Sequence, residues 1–138
     1  MFQSFSSQVE DDGSPAAAAN IAAEAIRDLN HRTIGHGQNG GWRYPSDVHR
    51  VLIGLEVLLG RLPQTLKQTE QRLGMFDARH LKVDPGDEPN GPHDAIVLIA
   101  RELRKANGHI ARTVAALSTA EAATSRLSYS MPGEVEDG

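Results

Sequence analysis

From Val48 onward, Leu52, Leu55, Leu59, Leu62, Leu66, Thr69, Leu73 and Phe76 recur at alternating spacings of four and three residues. That alternation is the heptad seam of an amphipathic helix, an apolar stripe turned toward a neighbour. The pattern returns at Ile96, Ile99, Leu103, Ala106, Ile110, Thr113, Leu117, Ala120, Thr124 and Leu127. Two helices are expected, over 46–79 and 92–127, each roughly 50 Å long at the α-helical rise. Ser46 or Asp47 can cap the first of them. Between the two seams, KVDPGDEPNGP gathers Pro, Gly and acidic residues in a turn region. An all-α fold follows, dominated by a long antiparallel, coiled-coil-like helical hairpin. Aligning the seams across the turn sets Leu55 opposite Leu117, Leu59 opposite Thr113, Leu62 opposite Ile110, Leu66 opposite Ala106, Thr69 opposite Leu103, Leu73 opposite Ile99 and Phe76 opposite Ile96. Pro63 and Gly108 then fall at one height, so a continuous but bent helix through Pro63 should cross the other near Gly108.

A shorter helix is expected over 15–31, with Ser14 as N-cap and Pro15 in its first turn. Its helically spaced face is mostly alanine: Ala18, Ile21, Ala22, Ala25 and Leu29. The glycines at 35, 37, 40 and 41 can continue neither helix nor strand and make a loop, which ends at Trp42, Arg43 and Tyr44. The acidic tails, 1–14 and 128–138, lack any apolar period and are expected to be disordered, leaving 15–127 as one helical domain.

The first long helix carries more apolar surface than one seam hides. Val51 and Leu58 widen the stripe, while Ile53 and Val57 fall on the far side. Full burial of each is worth roughly 1.5 to 3 kcal/mol, so a cover is expected. The N-terminal helix can supply part of it, completing a three-helix bundle. A second copy of the chain is the other source, giving a homodimer.

Composition narrows the chemistry. The chain has 138 residues, a net charge of -4 and no Cys, which removes thiol nucleophiles, Cys-ligated zinc and disulfide staples. If it were compact, a protein of this mass would expose roughly 7,000 Å². No apolar run is long enough for a membrane span, and no secretion signal opens the sequence, so a cytoplasmic protein is expected. Six histidines lie at 31, 36, 49, 80, 93 and 109, with no HExxH and no pair four residues apart; His31 with His49 is the best pair available. Neither a metal nor another cofactor is expected.

Two basic constellations remain. Arg101, Arg104, Lys105 and Arg112 form a stripe on the outer face of the last helix, able to lie along phosphates. Arg104 followed by His109 resembles the Arg and His pair of HEPN ribonucleases, and that resemblance would make His109 the general base and Arg104 the phosphate clamp. Trp42, Arg43 and Tyr44 have the composition of a binding hot spot, or else pack back to fix the entry to the next helix.

The motifs Leu29 to His31 (LNH), Trp42 to Pro45 (WRYP), Asp47 to Leu52 (DVHRVL) and Arg61 to Gln64 (RLPQ) resemble those of small helical proteins of actinobacteria, often encoded near mobile elements. The resemblance implies a bacterial setting and no activity. The small secreted helical hairpins of the type VII pathway fit less well, since Trp42 precedes both long helices and Gly133, not an acid, stands four residues after Tyr129. The sequence thus reads as a non-enzymatic protein-interaction or scaffolding module, with a HEPN-like ribonuclease and a nucleic-acid accessory protein as alternatives.

Overall fold

The computed structural model describes residues 10–34, 41–86 and 89–130. Three α-helices carry the described chain, α1 (Pro15–Ile34), α2 (Pro45–Leu73) and α3 (Pro92–Thr124), with a single 3₁₀ turn at Ala78–His80 and no strand among the described residues. Most of the expected acidic tails, 1–9 and 131–138, and of the glycine loop, 35–40, lie outside the described residues.

α1 starts as its residues dictate, because the Ser14 hydroxyl accepts the Ala17 amide at 3.1 Å and Pro15 needs no partner in the first turn. It runs three residues past the expected end at His31. Ser14→Ala should cost the first turn of α1 about 1 kcal/mol. Hydrogen exchange of the Ala17 amide would report that loss, with protection in α2 and α3 unchanged.

α2 opens by a different device from the one expected. Neither Ser46 nor Asp47 is the N-cap: Tyr44 holds that place, and the Asp47 carboxylate reaches back from the first turn to accept the amides of Arg43 and Tyr44, both at 2.9 Å. Those two bonds, with Arg50 beside it, hold the Asp47 carboxyl below the usual carboxylate range. α2 passes through Pro63 without interruption, and Asn107, the neighbour of Gly108, donates its side-chain amide to the Pro63 carbonyl at 3.4 Å.

Both long helices end earlier than the seams suggest. After Leu73 the amides of Met75 and Phe76 bond three residues back, and Asp77 caps a separate turn by accepting the Arg79 amide at 3.0 Å. Phe76 is therefore off the seam and 63% exposed. α3 ends at Thr124 rather than Leu127, where the hydroxyls of Thr124 and Ser125 bond back to the Glu121 and Ala122 carbonyls and compete with the helix.

α2 and α3 pack side by side and run in opposite directions. His49 near the start of α2 meets Glu121 and Thr124 near the end of α3, Pro63 meets Asn107, and Glu70 meets Arg104. α1 has no comparable packing against either, so the three-helix bundle that would have it cover α2 is not formed. Its alanine face leaves too little apolar area to hold it there. The consequence is an open molecule. Among the described residues only Ala17 is buried, whereas a compact protein buries many of its larger aliphatic side chains.

Candidate functional site

The half-buried residues on α2 and α3 define the contact between them and correct the expected seam. Leu52, Leu55, Leu59, Leu62, Leu66 and Leu73 are half-buried against Leu103, Ala106, Ile110, Leu117 and Ala120. Thr69 and Thr113, expected on the seam, are exposed. Each gives its hydroxyl to the carbonyl four residues earlier in its own helix, at 2.8 and 3.0 Å, and so needs no partner across the contact. Val48 and Ile99, near the helix ends, are each 40% exposed.

In their place a second, polar column flanks the apolar one. His49, Glu56, Pro63 and Glu70 repeat every seven residues on α2, facing Asn107, Val114 and Glu121, which repeat every seven on α3, and all are half-buried. Four of these seven positions carry ionisable side chains. The His49 Nδ1 atom lies 3.1 Å from the Glu121 carbonyl oxygen and 2.9 Å from the Thr124 hydroxyl oxygen. At the other end, the Arg104 guanidinium donates to the Glu70 carboxylate at 3.0 Å. Glu121 is the uncomfortable member. Its Oε1 atom is buried without a donor, and the neighbouring Glu56 carboxyl, which can accept a hydrogen bond only from protonated Glu121, pushes its pKa up, assisted by burial and by the Glu56 charge and opposed by His49.

At the corner between α1 and α2, the Trp42 indole N–H donates to the Thr33 carbonyl at 3.3 Å. The ring thereby pins the last turn of α1 to the entry of α2. Trp42 stays 38% and Tyr44 44% exposed. Beside them lies an open cleft of about 440 Å³, lined by Leu29, Arg32, Thr33, Trp42, Arg50 and Val51, among others. Its two arginines are already committed, Arg32 to Asp28 and Arg50 to Asp47, each at 2.8 Å. Arg43 is exposed at the same corner.

Of the four residues singled out for self-association, Val51 and Leu58 are half-buried beside the helix contact, whereas Ile53 and Val57 are 41% and 47% exposed. Nothing among the described residues covers that side of α2. The basic stripe of α3 is partly paired: Lys105 lies 3.0 Å and Arg101 3.6 Å from the one Glu102 carboxylate, and Arg104 reaches across to Glu70. Glu70 comes from the other helix, which is why reading α3 alone missed it. Arg112 bonds His109 on its own helix. Arg104 and His109 are thus turned to different partners. His31 is exposed and His49 is engaged with α3, so the two do not form a pair, and no group of three His, Asp or Glu suited to a metal occurs among the described residues.

No helix among the described residues is long and apolar enough to cross a membrane. Compared with known proteins, the chain matches no protein-family model, no curated protein and no solved structure.

Proposed function

We propose that this chain is a non-enzymatic protein-interaction or scaffolding module of a bacterial cytoplasm, a coiled-coil-like antiparallel helical hairpin completed by dimerisation. The observation that carries this reading is the uncovered face of α2, where Ile53 and Val57 stand 41% and 47% exposed on a helix that engages α3 through other residues. A stable monomer of this size buries its larger aliphatic residues; this one buries none among the described residues. A second copy offers the cover that α1 does not. The Trp42, Arg43 and Tyr44 corner lies apart from that face and remains available to a different protein, aromatic and Arg side chains being the usual anchors of such contacts.

Light scattering at micromolar concentration tests the reading. The wild-type chain should have twice the mass of the 14.9 kDa monomer, while Ile53→Glu and Val57→Glu should shift it toward the monomer with the helical circular dichroism retained. A wild type that stays monomeric at high concentration would overturn it.

A further inference from the structure

We propose that the two copies pack with α2 of each against α3 of the other, about a twofold axis running along the helices, so that Ile53 and Val57 seat on Ala115 and Ala122 of the partner subunit. The inference rests on the dimeric reading above and adds the arrangement.

At about 100° per residue, Ile53, Val57 and Gly60 fall within about 60° of one another on α2, next to His49 and Glu56. On α3, Ala111, Ala115, Ser118 and Ala122 fall within about 60° of one another, next to Asn107. The bonds from Asn107 to Pro63 and from Arg104 to Glu70 run along this same side, so both sets belong to one broad face of the helix pair. All four α3 residues are exposed, as are the three on α2. The seam alignment puts Val57 level with Ala115 and Ile53 level with Thr119, between Ala115 and Ala122. One half of the face is therefore raised by large side chains at the height where the other half is lowered by small ones.

Such a face complements itself under only some symmetries. A twofold axis parallel to the helices keeps every residue at its height and exchanges α2 with α3, which lays large residues on small ones. An axis across the helices stacks α2 on α2 and reverses the heights. It sets Ile53 and Val57 against each other, or against Gln64, Lys67 and Gln71 farther along the helix. The first arrangement interdigitates and the second does not.

The area suffices. α2 has 29 residues and is about 44 Å long, and two adjacent helices are about 20 Å across, so the face offers about 900 Å². A standard stable interface takes about 800 Å² from each partner.

The chain has no cysteine, which allows a direct test by cross-linking. Chains carrying Val57→Cys and chains carrying Ala115→Cys are mixed and oxidised. A disulfide-linked dimer should form in the mixture several-fold more than in either variant alone, and Ala115→Glu should shift the mass toward monomer while remaining helical. A Val57→Cys chain that links to itself, while the mixture gains nothing, would overturn this arrangement but leave the dimer standing. A monomeric mass for the wild-type chain would overturn both.

Discussion

Ile110→Asp should abolish most of the helical circular dichroism of this protein, and Val114→Asp should do nearly the same. Both positions are half-buried against α2, and Ile110 lies opposite Leu62 near the middle of the contact. Placing a carboxylate there costs several kcal/mol of desolvation, comparable with the whole stability of a small domain. Little else holds these helices. α2 contains Gly54, Gly60 and Pro63, α3 contains Gly108, and neither packs extensively against a second helix among the described residues to share the loss. Thr113→Asp, one residue before Val114, should leave the signal close to wild type because Thr113 is exposed. The order of the three variants in a thermal melt is the measurement. If Thr113→Asp were as damaging as Val114→Asp, the position of the contact on α3 would be wrong by one residue.

That one-residue difference marks what the sequence could and could not show. Apolar periodicity located both long helices and the leucines and isoleucines of their contact, because burial of such side chains leaves a clear signal at heptad spacing. It did not reveal the flank. His49, Glu56 and Glu70 lie one position after the expected Val48, Leu55 and Thr69, and Asn107 and Glu121 lie one after Ala106 and Ala120. A straight helix drifts by about 20° per heptad, so a contact over several heptads spreads to the adjacent column. When that column is polar, hydrophobicity counts pass over it. Its trace in the sequence is the seven-residue recurrence of His49, Glu56, Pro63 and Glu70 itself, with Glu56 as the lone acid among aliphatic neighbours.

The helix ends were obscured for a related reason. Phe76 and Leu127 keep the apolar period while the local chemistry ends the helix: Gly74 and Asp77 in one case, and the hydroxyls of Thr124 and Ser125 in the other. Apolar spacing says where a helix could continue, and capping groups decide where it stops. Likewise, of the basic residues of α3 only Arg104 has a partner on α2 among the described residues. Glu70 lies 34 positions from Arg104 in the chain, too far for any local charge count to connect them.

Glu121→Gln should raise the melting temperature at neutral pH and remove a pH dependence expected of the wild-type chain. In the folded protein the Glu121 carboxyl faces that of Glu56, two acceptors with no donor between them, so the folded pKa of Glu121 lies above its ordinary value of 4.5. A group whose folded pKa is raised makes the folded state bind more protons than the unfolded state in the interval between the two values. Stability therefore increases as the pH falls from neutral through the raised value, and the gain is complete below 4.5, where a proton satisfies the orphan oxygen. The opposite trend begins lower down. Asp47 and Asp77 are held below their ordinary value of 3.8 by backbone and Arg donors, so their contributions persist above 3.8 and fade as the pH falls through their lowered values. The wild-type melting temperature should accordingly peak in mildly acidic solution, between neutrality and about pH 4. In the Glu121→Gln chain the amide can donate to Glu56 at every pH, which removes the charge repulsion and flattens the neutral side of that peak. Glu56→Gln should act in the same direction, since either substitution breaks the like-charged pair. A Glu121→Gln chain with an unchanged or lower melting temperature at neutral pH, or with the mildly acidic maximum intact, would show that the two carboxyls do not share a site between α2 and α3.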